Sequence, residues 1–226
     1  MDTVLEILST TPLFGGLPEK QLLEIKKIAV SKDFTKGQII FLEGDEGDGF
    51  YVVGQGMVKV FKTSSEGKEQ ILHLLGPGEP FGEVPVFSGK SFPANAEAIS
   101  KCWLLFFHRT SFISLIGANP SLALNMLAVL SMRLRQFTVQ VENLSLKEVP
   151  ARLASYLIYL HQEQGGKEIV GLEISKGQLA SLLGTVPETL SRIFSKMTDQ
   201  GLIEVKERKI RLLDPEGLED LAASGK

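Results

Sequence analysis

The sequence predicts an α+β protein: a β-roll (jelly roll) preceded by short helices, then one long helix, then a winged helix-turn-helix. Three observations predict this order. Short apolar strands are separated by frequent glycines up to about residue 107, apolar residues recur every third or fourth position after Pro120, and two capped helices precede an alternating segment near residue 205. The 226 residues, 43% of them hydrophobic and 23% charged, suit a folded protein of two ordinary domains.

The N-terminal part of the chain changes from helical to extended patterning at about Ala29. Before this residue, apolar side chains at helical spacing predict short helices within residues 1–28. After it, the predicted strands fall at residues 38–41, 50–53, 57–61, 71–75 and 103–107. Glycines separate these segments at intervals that suit turns between short strands. The pattern is typical of an all-β sandwich or roll.

The long helix after Pro120 carries a seam of apolar residues at spacings of 3, 4, 3, 4 and 3. The seam consists of Leu127, Leu130, Leu134, Phe137, Val141 and Leu144. A narrow a/d seam sustained for about three heptads indicates a parallel two-stranded coiled coil with a second copy of the chain. The alternative is a core helix covered by the roll. We predict a roll domain over residues 1–118, a dimerisation helix over 119–147 and a C-terminal domain over 148–226.

Two short helices joined by a tight turn form the most specific pattern in the sequence. Ser175 and Gln178 have the spacing of a capping box at the start of the first helix. Gly184 suits the C-terminal end of that helix, and Pro187 suits the first turn of the next one. The spacing predicts a helix-turn-helix, preceded by another helix that starts near Val149.

The second helix of this pair has an apolar face and an opposite polar stripe. The apolar face contains Leu190, Ile193, Phe194 and Met197, and the polar stripe contains Glu188, Ser191, Arg192 and Ser195. Arg192 can donate two hydrogen bonds to guanine O6 and N7, and Glu188 can accept one from cytosine N4. A merely solvated helix face is more often rich in Lys and Glu, so we interpret the stripe as a reader of the DNA major groove.

Residues 201–213 alternate like a two-stranded hairpin and carry four basic residues. Such a wing can contact phosphates. Between Gly171 and Leu213 there are seven Lys or Arg and five Asp or Glu, so binding relies on shape as well as charge and is expected to weaken steeply with salt. The predicted DNA contacts are Ser175, Thr185, Pro187, Glu188, Thr189, Ser191, Arg192, Ser195, Lys196, Lys206 and Arg208.

Composition and motif content exclude several other classes of protein. A net charge of −3 and a pI near 5.7 exclude a wholly basic nucleic-acid binder. The single cysteine, Cys102, excludes a disulfide framework, a four-cysteine iron–sulfur cluster and a Cys-rich zinc site, and it favours a reduced, cytoplasmic setting. We expect no signal peptide, no membrane span and no metal site. No nucleophile, phosphate-loop or metalloprotease motif argues for an enzyme.

Three motifs follow one another along the chain. They are Phe81-Gly82-Glu83 in the roll, Pro187-Glu188-Thr189-Leu190-Ser191-Arg192 in the second helix of the pair, and Asp199-Gln200-Gly201-Leu202-Ile203 before the wing. In this order they resemble the CRP/FNR family of bacterial transcription regulators over essentially the whole chain. The resemblance implies a roll of the cyclic-nucleotide-binding type, a homodimer on double-stranded DNA, a small-molecule effector and RNA polymerase as a partner. The Glu188, Ser191 and Arg192 pattern resembles the FNR-like branch, which implies an inverted repeat of TTG-type half-sites.

The resemblance also implies an effector pocket between the roll and the long helix. Its predicted members are Phe81, Gly82, Glu83, Val84, Phe92, Pro93, Ala94, Asn95, Met126, Leu130 and Thr138. In cyclic-nucleotide-binding members an Arg-Ser pair holds the phosphate, and the matching residues here are Phe92 and Pro93. Because burial of a phosphate without a cation costs several kcal/mol, cyclic AMP is disfavoured as the effector.

The apolar lining of this predicted pocket suits haem or an apolar organic effector better than a phosphate. Residues 91–96 also resemble the matching segment of haem-based nitric oxide sensors in the family. The four-cysteine cluster of the oxygen-sensing members is excluded, because only Cys102 is present. Two alternatives stay open: a cyclic-nucleotide-binding module that regulates an attached activity, and a DNA-binding protein that has no effector.

Overall fold

The structure, a computed structural model, describes residues 3–225. Over that range the chain contains nine α-helices and eleven β-strands. It forms two compact units, one ending at Leu134 and the other beginning at Arg135. The predictions that include Met1, Asp2 and Lys226 extend to residues outside the described range.

The first unit begins with two short helices, as their apolar spacing predicts. They are α1 (Thr3–Thr10) and α2 (Glu19–Ile28), with a 3₁₀ turn over Pro12–Phe14 between them. Their inward side chains Leu8, Leu13, Phe14 and Ile25 are almost wholly buried and join Phe50 and Phe107 of the roll in one core. The N-terminal helices therefore cover one face of the roll.

The roll contains eight strands in two antiparallel sheets. The strands are β1 (Ala29–Phe34), β2 (Ile39–Phe41), β3 (Gly49–Gln55), β4 (Val58–Thr63), β5 (Glu69–Leu75), β6 (Pro80–Phe81), β7 (Asn95–Ala98) and β8 (Cys102–His108). One sheet has the order β1-β8-β3-β6 and the other has the order β2-β7-β4-β5. The fold predicted from the glycine-punctuated strands is confirmed. A five-residue helix, α3 (Val84–Ser88), which the pattern did not predict, lies between β6 and β7.

Two helices follow the roll, α4 (Arg109–Ala118) and the long α5 (Pro120–Leu146). Leu122, Met126 and Val129 of α5 are buried, whereas Leu127 and Leu134, on another face of the helix, are 59% and 69% exposed. The first half of α5 therefore packs through one face and leaves part of the predicted seam open. Among the described residues no single helix is long and apolar enough to cross a membrane; α4 and α5 pass that test only as a pair, and they are bent by 115° at their junction.

The second unit contains the end of α5 and seven further elements. They are α6 (Val149–Glu163), β9 (Ile169–Gly171), α7 (Lys176–Leu182), α8 (Pro187–Asp199), β10 (Ile203–Lys206), β11 (Lys209–Leu212) and α9 (Pro215–Ser224). The strands form one antiparallel sheet of order β10-β11-β9. The predicted hairpin is therefore present, and β9 adds a third strand beside β11. Helix α9, which packs on α6 through Leu218, was not predicted.

Polar contacts fix the junction between α5 and α6. Arg152 Nη1 donates to the carbonyl oxygen of Leu144 at 3.3 Å, which satisfies an orphan carbonyl in the last turn of α5. The backbone N–H of Glu148 donates to the carbonyl oxygen of Gly225 at 2.7 Å. The end of the described chain therefore lies against the connection that leads into the helix-turn-helix.

Candidate nucleic-acid interface and roll interior

The start of α7 has the capping box that the sequence predicts. Ser175 Oγ accepts from the backbone N–H of Gln178 at 3.2 Å, and Gln178 Oε1 accepts from the N–H of Ser175 at 2.9 Å. Gly184 follows the helix with a positive φ of 66°, and the N–H of Thr185 donates to the carbonyl oxygen of Ala180 at 2.9 Å. Pro187 occupies the first turn of α8. These local contacts set the angle between α7 and α8.

Helix α8 is held by its apolar face and presents its polar stripe outward. Leu190, Ile193, Phe194 and Met197 are all buried. Glu188, Ser191, Arg192 and Ser195 are all exposed. Arg192 Nη2 donates to Thr189 Oγ1 at 3.1 Å, which holds its guanidinium along the helix surface. The outer face of α8 therefore carries one forked donor, one carboxylate and two short side chains, a set that fits base edges in a major groove.

The other predicted DNA contacts surround α8. Five of them are exposed: Ser175, Pro187, Lys196, Lys206 and Arg208. The other two, Thr185 and Thr189, are half-buried. The hydroxyl oxygen of Ser175 already accepts a hydrogen bond from the backbone N–H of Gln178. A contact between Ser175 and DNA must therefore share or replace this bond. Lys176 was not predicted as a DNA contact. Its Nζ lies 5.4 Å from the centre of the Phe194 ring of α8.

Acidic side chains neutralise part of the positive charge of the wing. Lys206 Nζ lies 2.8 Å from Glu204 Oε1. Arg211 Nη1 lies 3.3 Å from Glu204 Oε2, and Arg211 Nε lies 3.4 Å from Glu168 Oε1. The hydrogen bond from Lys206, followed by the charges of Lys206 and Arg211, lowers the pKa of the Glu204 carboxyl, so this carboxylate stays ionised at neutral pH. A DNA phosphate that contacts Lys206 or Arg211 must therefore compete with Glu204.

Stacked aromatic rings fill the interior of the roll near the predicted pocket. The rings of Phe41 and Phe92 are parallel, with centroids 3.8 Å apart. Phe81 stacks on Tyr51 at 5.3 Å and lies 6.0 Å from Phe41. Phe92 is therefore buried in the core and stacked on Phe41. Haem and an apolar organic molecule both stay predictions for the effector.

A buried ion pair lies beside this aromatic cluster. Glu83 follows β6, and its Oε1 lies 2.5 Å from Nη1 of Arg133 on α5; the two side chains are only 12% and 16% exposed. Arg133 also donates to the carbonyl oxygen of Pro80. Arg133 was not among the predicted pocket residues, and no buried cation was expected in this region. In the sequence Arg133 is a lone arginine beside the apolar seam of a helix. An arginine at such a position is equally compatible with exposure to solvent, so its burial could not be predicted.

His73 on β5 lies in the same part of the first unit and is neutral at physiological pH. Its partial burial, and secondarily the charge of Arg133, lower the pKa of the imidazole to about 4. Arg133 of α5 therefore interacts electrostatically with both Glu83 and His73.

Comparisons with known proteins identify both parts of the chain. Residues 31–119 match the family model described as cyclic nucleotide-binding domain, and residues 151–221 match the Crp-like helix-turn-helix domain. The cyclic AMP receptor protein of Thermus thermophilus is 32% identical over 212 residues, which cover 94% of this chain and 97% of that protein. The chain belongs to the CRP/FNR family of transcription regulators. It is a DNA-binding regulator and not an enzyme.

Solved structures of this CRP/FNR family have the same fold. FixK2 from Bradyrhizobium japonicum is 27% identical, with a TM-score of 0.76 over 86% of this chain and 97% of that chain. The catabolite activator protein of Thermus thermophilus is 31% identical, with a TM-score of 0.56 over 96% of this chain and 100% of that chain. The order of roll, long helix and winged helix-turn-helix is therefore confirmed.

Several predicted pocket residues of this CRP/FNR regulator are exposed, form hydrogen bonds with the backbone or belong to the second unit. Val84 and Pro93 are exposed. Asn95 uses its side chain on the backbone: its Oδ1 accepts from the N–H of Glu43 at 2.9 Å, and its Nδ2 donates to the carbonyl oxygen of Phe61 at 3.4 Å. Thr138 is exposed and belongs to the second unit. The remaining predicted members, Phe81, Gly82, Glu83, Phe92, Ala94, Met126 and Leu130, all lie in the first unit and are buried or half-buried.

Proposed function

We propose that this CRP/FNR regulator binds as a homodimer to an inverted repeat of TTG-type half-sites, with α8 of each copy in the major groove. The observation that carries the proposal is the exposed stripe of Glu188, Ser191 and Arg192 on a helix whose opposite face is buried. Arg192 donates to guanine O6 and N7, and Glu188 accepts from cytosine N4. The exposed wing residues then contact phosphates beside the site.

The exposed part of the α5 seam supports a homodimer. Leu127, Leu134 and Val141 are 59%, 69% and 62% exposed in the single chain. Apolar side chains at this spacing are stabilised when a second helix covers them, so the partner we propose is a second copy of this chain. Two copies related by a two-fold axis match an inverted repeat, because each recognition helix then meets an identical half-site.

We further propose that a small-molecule effector controls DNA binding in the cytoplasm, with RNA polymerase as the partner that responds. An effector that stabilises one arrangement of the two DNA-binding domains shifts the population toward the state competent for the operator. The polar side chains of Glu83, Arg133 and His73 beside buried aromatic rings suit a small, mostly apolar ligand that carries one hydrogen-bonding group.

Haem remains a proposal with a direct test, although the Phe41–Phe92 stack counts against it. The neutral imidazole of His73 is a ligand type that haem iron accepts. Reconstitution of the purified full chain with haem, followed by absorbance spectroscopy, is expected to give a Soret band that shifts with nitric oxide if haem is the effector. A titration that gives no protein-bound Soret band removes haem from consideration.

The operator proposal is tested by fluorescence anisotropy with the full chain. We expect a duplex with two inverted TTG-type half-sites to bind at least about 10³-fold more tightly than a duplex of the same composition in scrambled order. Affinity for the operator is expected to fall steeply between low and physiological salt. Equal affinity for both duplexes contradicts the proposal.

A second candidate is regulation by a cyclic nucleotide. It is favoured by the match of residues 31–119 to the cyclic nucleotide-binding model and by the similarity to a protein named for cyclic AMP. Phe92 and Pro93 stand where the resemblance places the phosphate-holding pair, and Arg133 is engaged by Glu83. Isothermal titration with cyclic AMP and cyclic GMP decides between the candidates. Saturable binding supports regulation by a cyclic nucleotide, whereas the absence of a heat of binding favours the proposed apolar effector.

A further inference from the structure

The tip of the wing carries a carboxylate in a backbone conformation that glutamate rarely adopts. Lys206 pairs with Lys209 across β10 and β11, so Glu207 and Arg208 are the two central residues of the hairpin turn. Glu207 has a φ of +55°, and it is the only non-glycine residue with a positive φ among residues 3–225. The first central position of such turns favours Gly, Asn or Asp, because these residues tolerate positive φ.

The position of this turn is fixed by the third strand of the sheet. The carbonyl oxygen of Arg208 accepts from the N–H of Leu172 at 2.7 Å. Lys209 pairs with Gly171 of β9 on its other side. The turn is therefore held in place beside the sheet, and the exposed carboxylate of Glu207 is held with it.

The charges around Glu207 make this carboxylate important for any anion that approaches. Lys206 and Arg211 are engaged by Glu204 at 2.8 Å and 3.3 Å. Within the described part of the chain, Arg208 and Lys209 have no carboxylate within 4.0 Å. The wing thus presents two uncommitted cations, and the negative charge of Glu207 stands next to them at the turn.

We propose that Glu207 limits the affinity of the wing for DNA phosphates and so leaves sequence discrimination to α8. This inference rests on the proposed function, in which the wing meets the DNA backbone. Phosphate contacts strengthen binding to every sequence alike, whereas base contacts strengthen binding only at the operator. A carboxylate at the turn weakens the phosphate contacts and leaves the base contacts unchanged. Glutamate occupies a backbone position that suits glycine better, and a charge is what it adds there that glycine lacks.

Three variants separate the charge of Glu207 from its backbone conformation. Glu207→Gly and Glu207→Asn remove the charge and tolerate the positive φ, so both are expected to fold. Glu207→Asp keeps the charge and tolerates the positive φ better than glutamate does. Thermal unfolding of all three is expected to occur at or slightly above the parent midpoint, because the turn is relaxed.

Binding of the parent and the three variants is measured against the operator and the scrambled duplex over a range of salt concentrations. We expect the Gly and Asn variants to bind both duplexes more tightly than the parent, by about fivefold for each wing that contacts the duplex, as for the loss of one repulsive charge near a phosphate. We also expect a steeper dependence of log K on log salt. The Asp variant is expected to match the parent.

The outcomes distinguish this inference from the proposed function. If the parent discriminates the operator but the Gly and Asn variants bind both duplexes with parent affinity and parent salt dependence, the inference is wrong and the proposed function stands. If the Asp variant gains affinity as the Gly variant does, turn strain and not charge controls binding, and the inference is also wrong. If the parent binds the operator and the scrambled duplex with equal affinity, the proposed function is wrong, and the inference that rests on it is wrong as well.

Discussion

In the proposed complex with DNA, Arg192 is the residue on which base recognition depends most directly. Its guanidinium is exposed on α8 and is held by Thr189 at 3.1 Å, so little freedom is lost when it contacts a base. We expect Arg192→Ala to weaken operator binding by about 1–3 kcal/mol and to relax the preference at one base pair of each half-site.

The measurement is a set of dissociation constants for operators with each base pair substituted in turn. Lys196→Ala is a matched control, because Lys196 is exposed on the same helix outside the polar stripe. The control variant is expected to weaken binding evenly across the set. An Arg192→Ala variant whose base preferences equal those of the parent contradicts the assigned role.

His73 makes the stability of the regulator depend on pH. Its folded-state pKa is lowered to about 4, mainly by burial, from an ordinary value of 6.5. The unfolded chain therefore binds more protons between these two values, and the free energy of unfolding falls as the pH falls through that window. For this one group we expect a loss of about 2 kcal/mol between about pH 7.5 and about pH 5.

Urea unfolding of the parent, His73→Gln and His108→Gln at both pH values tests this expectation. His108 is half-exposed, so it serves as the control histidine. The pH-dependent loss is expected to shrink in His73→Gln and to persist in His108→Gln. An equal loss in the parent and in His73→Gln assigns the pH dependence to other groups.

The capping box of α7 is the element whose local stabilisation is easiest to isolate. Ser175 and Gln178 satisfy two backbone N–H groups at the start of a helix of only seven residues. We expect Ser175→Ala to lower the free energy of unfolding by about 1 kcal/mol, because one orphan N–H loses its partner. Chemical denaturation measures the change, and Ser65→Ala, in the exposed turn between β4 and β5, is the control. Equal stability of the two variants contradicts a stabilising role for the cap.

Elements with local signals were predictable from the sequence, and elements defined by distant contacts were not. The cap of α7, the start of α8 at Pro187 and the long α5 follow from spacing and residue type alone. Strand β9 has three residues and exists because it pairs with β11 some forty residues later. Helix α3 likewise has only five residues, too few for a periodic pattern.

The roll interior shows the same limit at the level of the candidate site. Its apolar residues were predictable, but the stacking of Phe92 on Phe41 was not, because these two residues come from distant segments of the chain. The burial of Arg133 depends on its contacts with Glu83 and Pro80, which are about fifty residues away in the chain. The polar stripe of α8 was predictable because its chemistry lies within a single helix.

The proposed homodimer depends on the α5 seam. Leu127 and Val141 are largely exposed in the single chain, so changing both to Glu leaves each copy able to fold while it places like charges in the coiled coil. We expect the dimer dissociation constant to rise by at least about 100-fold. Met132→Glu combined with Val139→Glu is the matched control, because these residues are 55% and 49% exposed but lie off the seam. Sedimentation equilibrium that shows an unchanged dimer for the seam variant contradicts the coiled coil.

Affinity for operators with altered half-site spacing tests the central claim most directly, because it requires two α8 helices held in one fixed relation. Recognition helices of a two-fold dimer enter successive major grooves about 34 Å apart, which corresponds to half-site centres about 10 bp apart. An insertion of about 5 bp places the second half-site on the opposite side of the duplex. We predict that this insertion reduces affinity to that of scrambled DNA. We also predict that an insertion of about 10 bp, which returns the second half-site to the same side of the duplex but one turn too far away, does not restore full binding. Equal affinity for the parent operator and the operator with the half-turn insertion contradicts the account.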